Sequence, residues 1–209
     1  MALYQRNNTK LAHGQNAPSL CLIIHFIILY VNFRLHSTML LTSWSIIELV
    51  ISMATKTNAV RLVQQAKIPC REFEYEFDEN DLRGTHAAHA LGMPEEQVFK
   101  TLVARGERSG IHVFCIPVCC ELDLKKAAKA AGDKNMEMVA VKELLSLTGY
   151  IRGGCSPVGM KKKYPTHIDE TCILHDEIAV SAGARGHQMI LSPIALAELI
   201  GAELVDLTK

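Results

Sequence analysis

No sign of charge prevails in this chain. Its 22 lysines and arginines balance 22 aspartates and glutamates across 209 residues. A zero net charge excludes a global field drawing the protein to nucleic acid, so any polyanion must be held by a local patch. A disulfide framework is absent too. The seven cysteines, at 21, 70, 115, 119, 120, 155 and 172, are odd in number and irregularly spaced, which fits reduced thiols in a cytosol. "CIPVCC" (115–120) lacks the CxxC spacing of a zinc site and reads as a strand entering a loop, its thiols serving as small hydrophobes. Phosphate loops of the GxxxxGK(S/T) type, HExxH, GxSxG and a strand-linked GxGxxG are all missing, as is any internal repeat. What remains is ordinary globular material, 49% hydrophobic and 21% charged, long enough for one domain with a real core.

Residues 1–52 differ from the rest. Arg6, Lys10, Arg34 and Glu48 are their only charged residues, and the apolar run "LCLIIHFIILYV" (20–31) has twelve residues. That is short of the roughly 20 needed to cross a bilayer as a helix. Asn32, Phe33 and Arg34 follow it where a signal peptide would show small residues. The expectation is that residues 1–52 are an extension, either a leader or upstream translated sequence, and that the functional domain spans 53–209 from Met53. A membrane-anchoring leader is the alternative. Without the extension, 19 basic residues face 21 acidic ones.

Along 53–209, Thr57 or Asn58 caps a helix with Val60, Val63 and Ala66 on its apolar stripe, ending before Pro69. "REFEYEF" (71–77) alternates as a half-solvated strand with Phe73, Tyr75 and Phe77 inward. Thr85 caps a helix that Gly92 stops. "VFKTLVAR" (98–105) and "IHVFCIPV" (111–118), joined by "GERSG", form an antiparallel hairpin. Asp123 caps the next helix, "MEMVAV" is a strand, and "KELLSLTG" is a helix stopped by Gly149. Strands follow near 171–175, 177–181 and 187–191. Ser192-Pro193 then starts the last helix, which stops at Gly201, and "AELVDL" closes the sheet. Helices intermingled with hairpins give an α+β domain around a mixed, largely antiparallel sheet.

Lys100 is the anomaly. It sits in an otherwise apolar strand, and an unpaired ammonium is costly to bury. It can snorkel to solvent, or end in a cleft where its donors bind a carbonyl or phosphate oxygen. Apolar neighbours on both faces favour the cleft. "GYIRGGCSPVG" (149–159) has four glycines and one proline in eleven residues. It reads equally as a tight connection or as a backbone cradle for a ligand. "SAGARG" (181–186) is a turn between strands. His86 and His89, one helical turn apart, are spaced to share a metal, but with no obvious third ligand nearby an exposed or capping role is the favoured reading. Lys125, Lys126, Lys129 and the run Lys161, Lys162, Lys163 are solvated charge by default, and phosphate contacts if a ligand loop lies beside them.

"VFKTLV", "LDLKKAAKAAG", "TGYIRGGCSPVG" and "SAGARGHQMILSP", in this order and spacing, resemble the YbaK/EbsC family of aminoacyl-tRNA deacylases from about Thr57 to Leu207. The resemblance implies a compact domain whose mixed sheet closes toward a barrel. It implies a cytoplasmic editing enzyme that clears cysteine from mischarged proline tRNA, and by extension from cysteine tRNA. No cofactor and no metal are implied, nor any membrane partner for residues 53–209; prolyl-tRNA synthetase is the expected protein partner. By motif match, the pocket lysine falls on Lys100, and the glycine-loop residues on Gly153 and Gly154, these three being the catalytic set. Tyr75, Thr101, Ser156, Pro157, Gly159, Ser181, Arg185 and Gly186 are the matching substrate-binding positions, and Gln188, which does not match, is counted with them as a substrate-binding residue. Lys125, Lys126 and Lys161–Lys163 are the tRNA-contact candidates.

The implied mechanism needs no protein nucleophile, because the thiol of the bound cysteinyl ester attacks its own carbonyl. The protein folds the ester and supports the oxyanion. Backbone amides at Gly153 and Gly154 serve as that support. A covalent role for Cys155 is the lesser alternative, since no basic partner is assigned. Gln188 and Cys119-Cys120 depart from the family pattern, which leaves open an alanine or serine deacylase of the same fold. A non-catalytic module that binds charged tRNA or a synthetase is the third reading.

Overall fold

The computed structural model describes residues 56–78 and 83–209. The expectations for residues 1–52 and for a start at Met53 lie outside these residues. Thr57 begins α1 (Asn58–Gln65): its hydroxyl accepts from the Val60 N–H at 3.2 Å. Val60 and Val63 are fully buried, each contributing about 1.5–3 kcal/mol through removal from water. The Thr57 hydroxyl also donates to Ala182 O, tying the helix start to the strand it covers.

The elements that follow are β1 (Cys70–Glu74), α2 (Gly84–Leu91), a 3-10 turn (Glu95–Gln97), β2 (Phe99–Gly106) and β3 (Gly110–Pro117). Next come α3 (Leu124–Ala130), β4 (Met136–Met138), α4 (Val141–Thr148), β5 (Thr166–Asp169) and a second 3-10 turn (Glu170–Leu174). The chain ends with β6 (Ile178–Ala184), β7 (His187–Leu191), α5 (Pro193–Ile200) and β8 (Glu203–Val205). The caps at Asp123 and Ser192 form as expected, the Asp123 carboxylate accepting from Lys125 N and Lys126 N. Gly92, Gly149 and Gly201 end their helices in the left-handed region.

Two sheets result, ordered β1-β7-β6 and β4-β2-β3-β5-β8. Only β3–β5 and β5–β8 run parallel, so the second sheet is mixed and the whole is largely antiparallel. The sheets touch at one parallel bridge, Val98 to Ala179. They stop short of a closed barrel, because the far end of β2 pairs with β4 instead, through Ala104–Gly106. The largest core cluster lies under α1 and α5, with Phe99, Cys115, Ile168, Ile178, Val180, Met189 and Leu191 among its members. A second, built on Phe114, Ile116 and Leu207, is covered by Ala127 and Ala128 of α3.

Three local expectations give way. Phe73 and Phe77 are 39% and 40% exposed rather than inward, since β1 is a sheet edge that ends at Glu74. Thr85 lies inside α2, whose N-cap is Arg83 with no capping side chain. The strand expected near 171–175 is a 3-10 turn, Glu170–Leu174, started by Asp169, which accepts from Thr171 N. The strand is "THID", the preceding four residues, buried between β3 and β8. Alternation could not reveal it, because both of its faces are covered.

Candidate functional site

Strand register decides which predicted residues meet. Val98, Ala179 and Ile190 belong to one apolar cluster with Ala87, Ala88 and Val118, and Tyr75 packs against it. Two residues along a strand return to the same face. Lys100 therefore follows Val98 on that face, and Ser181 follows Ala179 on the parallel neighbour, in strands that remain in contact. Ser181 is paired with Gln188, and Gln188 with Phe73. Lys100, Ser181, Gln188 and Tyr75 thus border one apolar floor.

The Lys100 amine donates to Val118 O at 3.2 Å and is half-buried, so the lysine does not simply reach out to water. Gln188 is 6% exposed, and its Oε1 is buried with no hydrogen-bond partner among the described residues. A buried carbonyl oxygen left unsatisfied costs about 1–3 kcal/mol, a cost that Gln188 carries in this structure. Tyr75 N–H donates to Gly186 O at 2.8 Å, and its ring lies 6.0 Å from that of His86. A shallow, open depression is lined by Glu74, Tyr75, Glu76 and Phe77.

The glycine loop reaches this region through the β6–β7 turn. A methyl on Gly154 would stand 2.9 Å from Ala184 C and 3.0 Å from Arg185 N, and Arg185 Nε donates to Arg152 O at 3.1 Å. Gly186 lies so close to Tyr75 O and the Phe77 ring that a side chain would overlap both. Loop, turn and Tyr75 segment therefore form one continuous wall beyond Ser181. Tyr150, which sequence reasoning missed as a site element, fastens it. Its hydroxyl donates to Val158 O at 2.6 Å while its ring lies under Gly183. Burial pushes its phenol up to about 12. The one sequence signal was an aromatic embedded in "TGYIRGG".

The predicted oxyanion donors separate. The Gly154 N–H is already given to Ile151 O at 3.0 Å, which removes it as a free donor. Gly153 is exposed, with φ +84°, a conformation glycine adopts without penalty. Thr101 belongs to the other face of β2, its hydroxyl 3.8 Å from Cys115 Sγ. Ser156 and Pro157 are buried; Ser156 Oγ accepts from Val158 N at 3.2 Å, a turn-building role. Gly159 leaves room for Asn58, Leu62 and Tyr150, and its carbonyl accepts from Asn58 Nδ2 at 3.1 Å. Cys155 is 8% exposed and burial pushes its thiol up to about 12. A thiolate nucleophile is disfavoured there.

Among the tRNA-contact candidates, Lys126 is committed to Asp206 at 2.7 Å and to Thr208 O. Lys161 donates to Leu145 O at 3.1 Å, where α4 ends. Lys125, Lys162 and Lys163 are exposed.

Comparison with known proteins decides the lineage. The model of the aminoacyl-tRNA editing domain matches residues 84–199. The chain belongs to this family. A relative from Enterococcus faecalis, provisionally named Cys-tRNA(Pro)/Cys-tRNA(Cys) deacylase EbsC, is 46% identical over 153 residues, covering 73% of this chain and 93% of that protein. A solved structure given provisionally as a trans-editing enzyme for prolyl-tRNA synthetase superposes with a TM-score of 0.62 at 27% identity, covering 74% of this chain and 99% of the other. The fold also matches the hypothetical protein APE2540, with a TM-score of 0.67 at 22% identity, covering 73% of this chain and all of that one.

Proposed function

We propose that this protein is an aminoacyl-tRNA deacylase that clears cysteine from mischarged proline tRNA, and from cysteine tRNA, in trans. The reading is carried by the 46% identity to EbsC, which extends over nearly the whole of that relative. The family's shared chemistry makes aminoacylated tRNA the substrate class.

The cysteinyl ester enters over the Val98–Ala179–Ile190 floor. Its own thiol sulfur bonds to the ester carbonyl carbon, forming a tetrahedral oxyanion. That intermediate expels the terminal ribose oxygen, which takes up the thiol proton. The products are free tRNA and a cysteine thiolactone, and neither water nor a protein nucleophile is consumed. The chain's contribution is orientation and charge stabilisation. Lys100 exchanges Val118 O for the substrate carbonyl oxygen, the Gly153 N–H is the second donor, and Ser181 and Gln188 hold the amino acid. Cys155 supports this route by being protonated and buried. Lys125, Lys162 and Lys163 meet backbone phosphates. With zero net charge over the whole chain, affinity for tRNA is local and weak, so the enzyme works in the cytoplasm beside prolyl-tRNA synthetase, which supplies the charged tRNA.

The test is deacylation of proline tRNA charged with cysteine, alanine or serine, under single-turnover conditions. The expected result is rapid release from the cysteine ester with thiolactone as first product. Faster release of alanine or serine would transfer the reading to a water-using deacylase, and binding without turnover would leave only an accessory module.

A further inference from the structure

Cys119 and Cys120 take no part in the deacylation described above, yet they are the most accessible pair of thiols among the described residues. Cys119 is exposed, Cys120 is partly so, and their sulfurs lie 3.6 Å apart. They sit on a tight turn in which Cys120 N–H donates to Pro117 O at 3.1 Å. We propose that Cys119 and Cys120 form a two-thiol site for trivalent arsenicals, placed so that its occupancy disturbs Lys100.

The spacing separates two chemistries. A direct disulfide needs sulfurs at about 2.0 Å and Cα atoms usually 4.4 Å or more apart, whereas neighbouring residues hold theirs at about 3.8 Å. Bridging through a single soft atom demands no such closure. Reactivity points the same way. Burial and the Cys120 sulfur push the Cys119 thiol up to about 11, so little thiolate is present for a peroxide to oxidise. An arsenical reacts by condensation. Phenylarsine oxide and two S–H groups give two As–S bonds, and the oxygen leaves with both protons as water, with no change of oxidation state. The second bond is intramolecular, which strengthens attachment by roughly 10²–10⁴-fold over a single thiol.

The link to Lys100 is one peptide unit. Val118 O, which accepts from the Lys100 amine, and the Cys119 nitrogen belong to the same rigid plane. Any movement of that plane when Cys119 and Cys120 take up a shared arsenic atom moves the acceptor of Lys100. The remaining described thiols compete poorly. Cys115 and Cys155 are buried with thiols pushed up to about 12. Cys172 is buried and raised to about 11, and Cys70 is raised by burial and by Glu72.

The experiment treats the full chain with phenylarsine oxide, washes with excess 2-mercaptoethanol and reads intact mass. The expected result is one arsenical per chain that survives the monothiol and is removed by dithiothreitol. Cys119→Ser and Cys120→Ser should each weaken retention by about 100-fold or more. Melting curves, and Cys119→Ala as a second substitution, establish that the variants remain folded. A wild-type chain with no monothiol-resistant adduct, or an adduct retained in either serine variant, overturns the site. The link to Lys100 rests on the proposed function and is read separately, as deacylation before and after treatment. Loss of activity in the wild type but not in Cys119→Ser is expected, and full activity in adduct-bearing wild type overturns the link. An untreated chain that deacylates nothing refutes the editing reading and leaves the mass measurement to decide the dithiol site.

Discussion

Replacing Lys100 with methionine separates a structural lysine from a catalytic one. Methionine keeps most of the aliphatic stem and removes the amine. In the folded protein the loss is one bond, from Nζ to Val118 O at 3.2 Å. Leaving a buried carbonyl unpaired costs about 1–3 kcal/mol. Lys100 is only half-buried, so water can replace it and the lower end applies. For a domain of this size that is a fall of roughly 2–4 °C in Tm per kcal/mol. Set against a typical stability of about 5–15 kcal/mol, such a loss leaves nearly every molecule folded and cannot reduce a rate 100-fold.

A donor to the developing oxyanion is a different matter, because its removal costs about 10²–10³ in kcat. The measurement is single-turnover release of cysteine from charged proline tRNA, with thermal melting in parallel, well below the lowered transition. Lys100→Met should melt a few degrees early and react at least about 100-fold more slowly. A variant with the expected shift in Tm but a rate within threefold of wild type would refute the catalytic role and leave Lys100 as a brace for the 117–120 turn.

Gly154→Ala should destabilise by about 1–3 kcal/mol. Its methyl meets backbone atoms of Ala184 and Arg185 at 2.9–3.2 Å, which cannot swing aside, and urea unfolding measures the loss. Tyr150→Phe removes the 2.6 Å bond to Val158 O and should lower stability by about 1–3 kcal/mol. Deacylation should slow as the glycine loop loosens, so both melting and rate are read. Stability should also fall with acid. His112 and His167, bonded to each other at 3.2 Å and each under 5% exposed, are held by burial below the usual histidine range, with His167 lowered further by His112. A backbone hydrogen bond at Ser109 and then the Asp133 charge oppose the shift at His112, and Glu203 opposes it at His167, without cancelling it. The unfolded chain then binds more protons once pH falls below about 6.5, so stability is full above that value and declines beneath it. Melting curves between pH 7.5 and 5 should show this decline, and a His112→Gln, His167→Gln chain should show a flatter one.

Much of this architecture was legible because its determinants are local. Thr57, Asp123 and Ser192 are capping side chains, and their helices begin where the residues stand. The 98–118 hairpin was visible from its short turn and its apolar strands. What escaped depends on tertiary partners. "THID" is a strand only because β3 and β8 enclose it. Phe73 stays exposed on an edge strand, and Phe77 lies beyond the end of that strand. In the site, Lys100 stood out as a lysine in an apolar strand and Ser181 by motif likeness, but their meeting with Gln188 depends on the Val98–Ala179 bridge between two sheets. No spacing in the sequence announces that bridge.

The glycine loop shows how two opposed readings of one motif can both hold. A ligand cradle requires unfilled space and unused N–H groups, whereas a tight connection requires glycine where other atoms crowd in. At 154, 159, 183 and 186 the crowding is measured: added Cβ atoms would lie within 2.9 Å of the backbone of Ala184 or Tyr75, the Asn58 amide or the Tyr150 ring. Those glycines let separate segments pack into one wall. Gly153 differs, being exposed with a positive φ, and it stands next to a glycine whose own N–H is occupied. The close packing at 154, 159, 183 and 186 holds the wall together, and Gly153 is the exposed glycine beside it. Close packing of that kind serves charge stabilisation, because a donor fixed before the substrate arrives spends no free energy reorganising when the oxyanion forms.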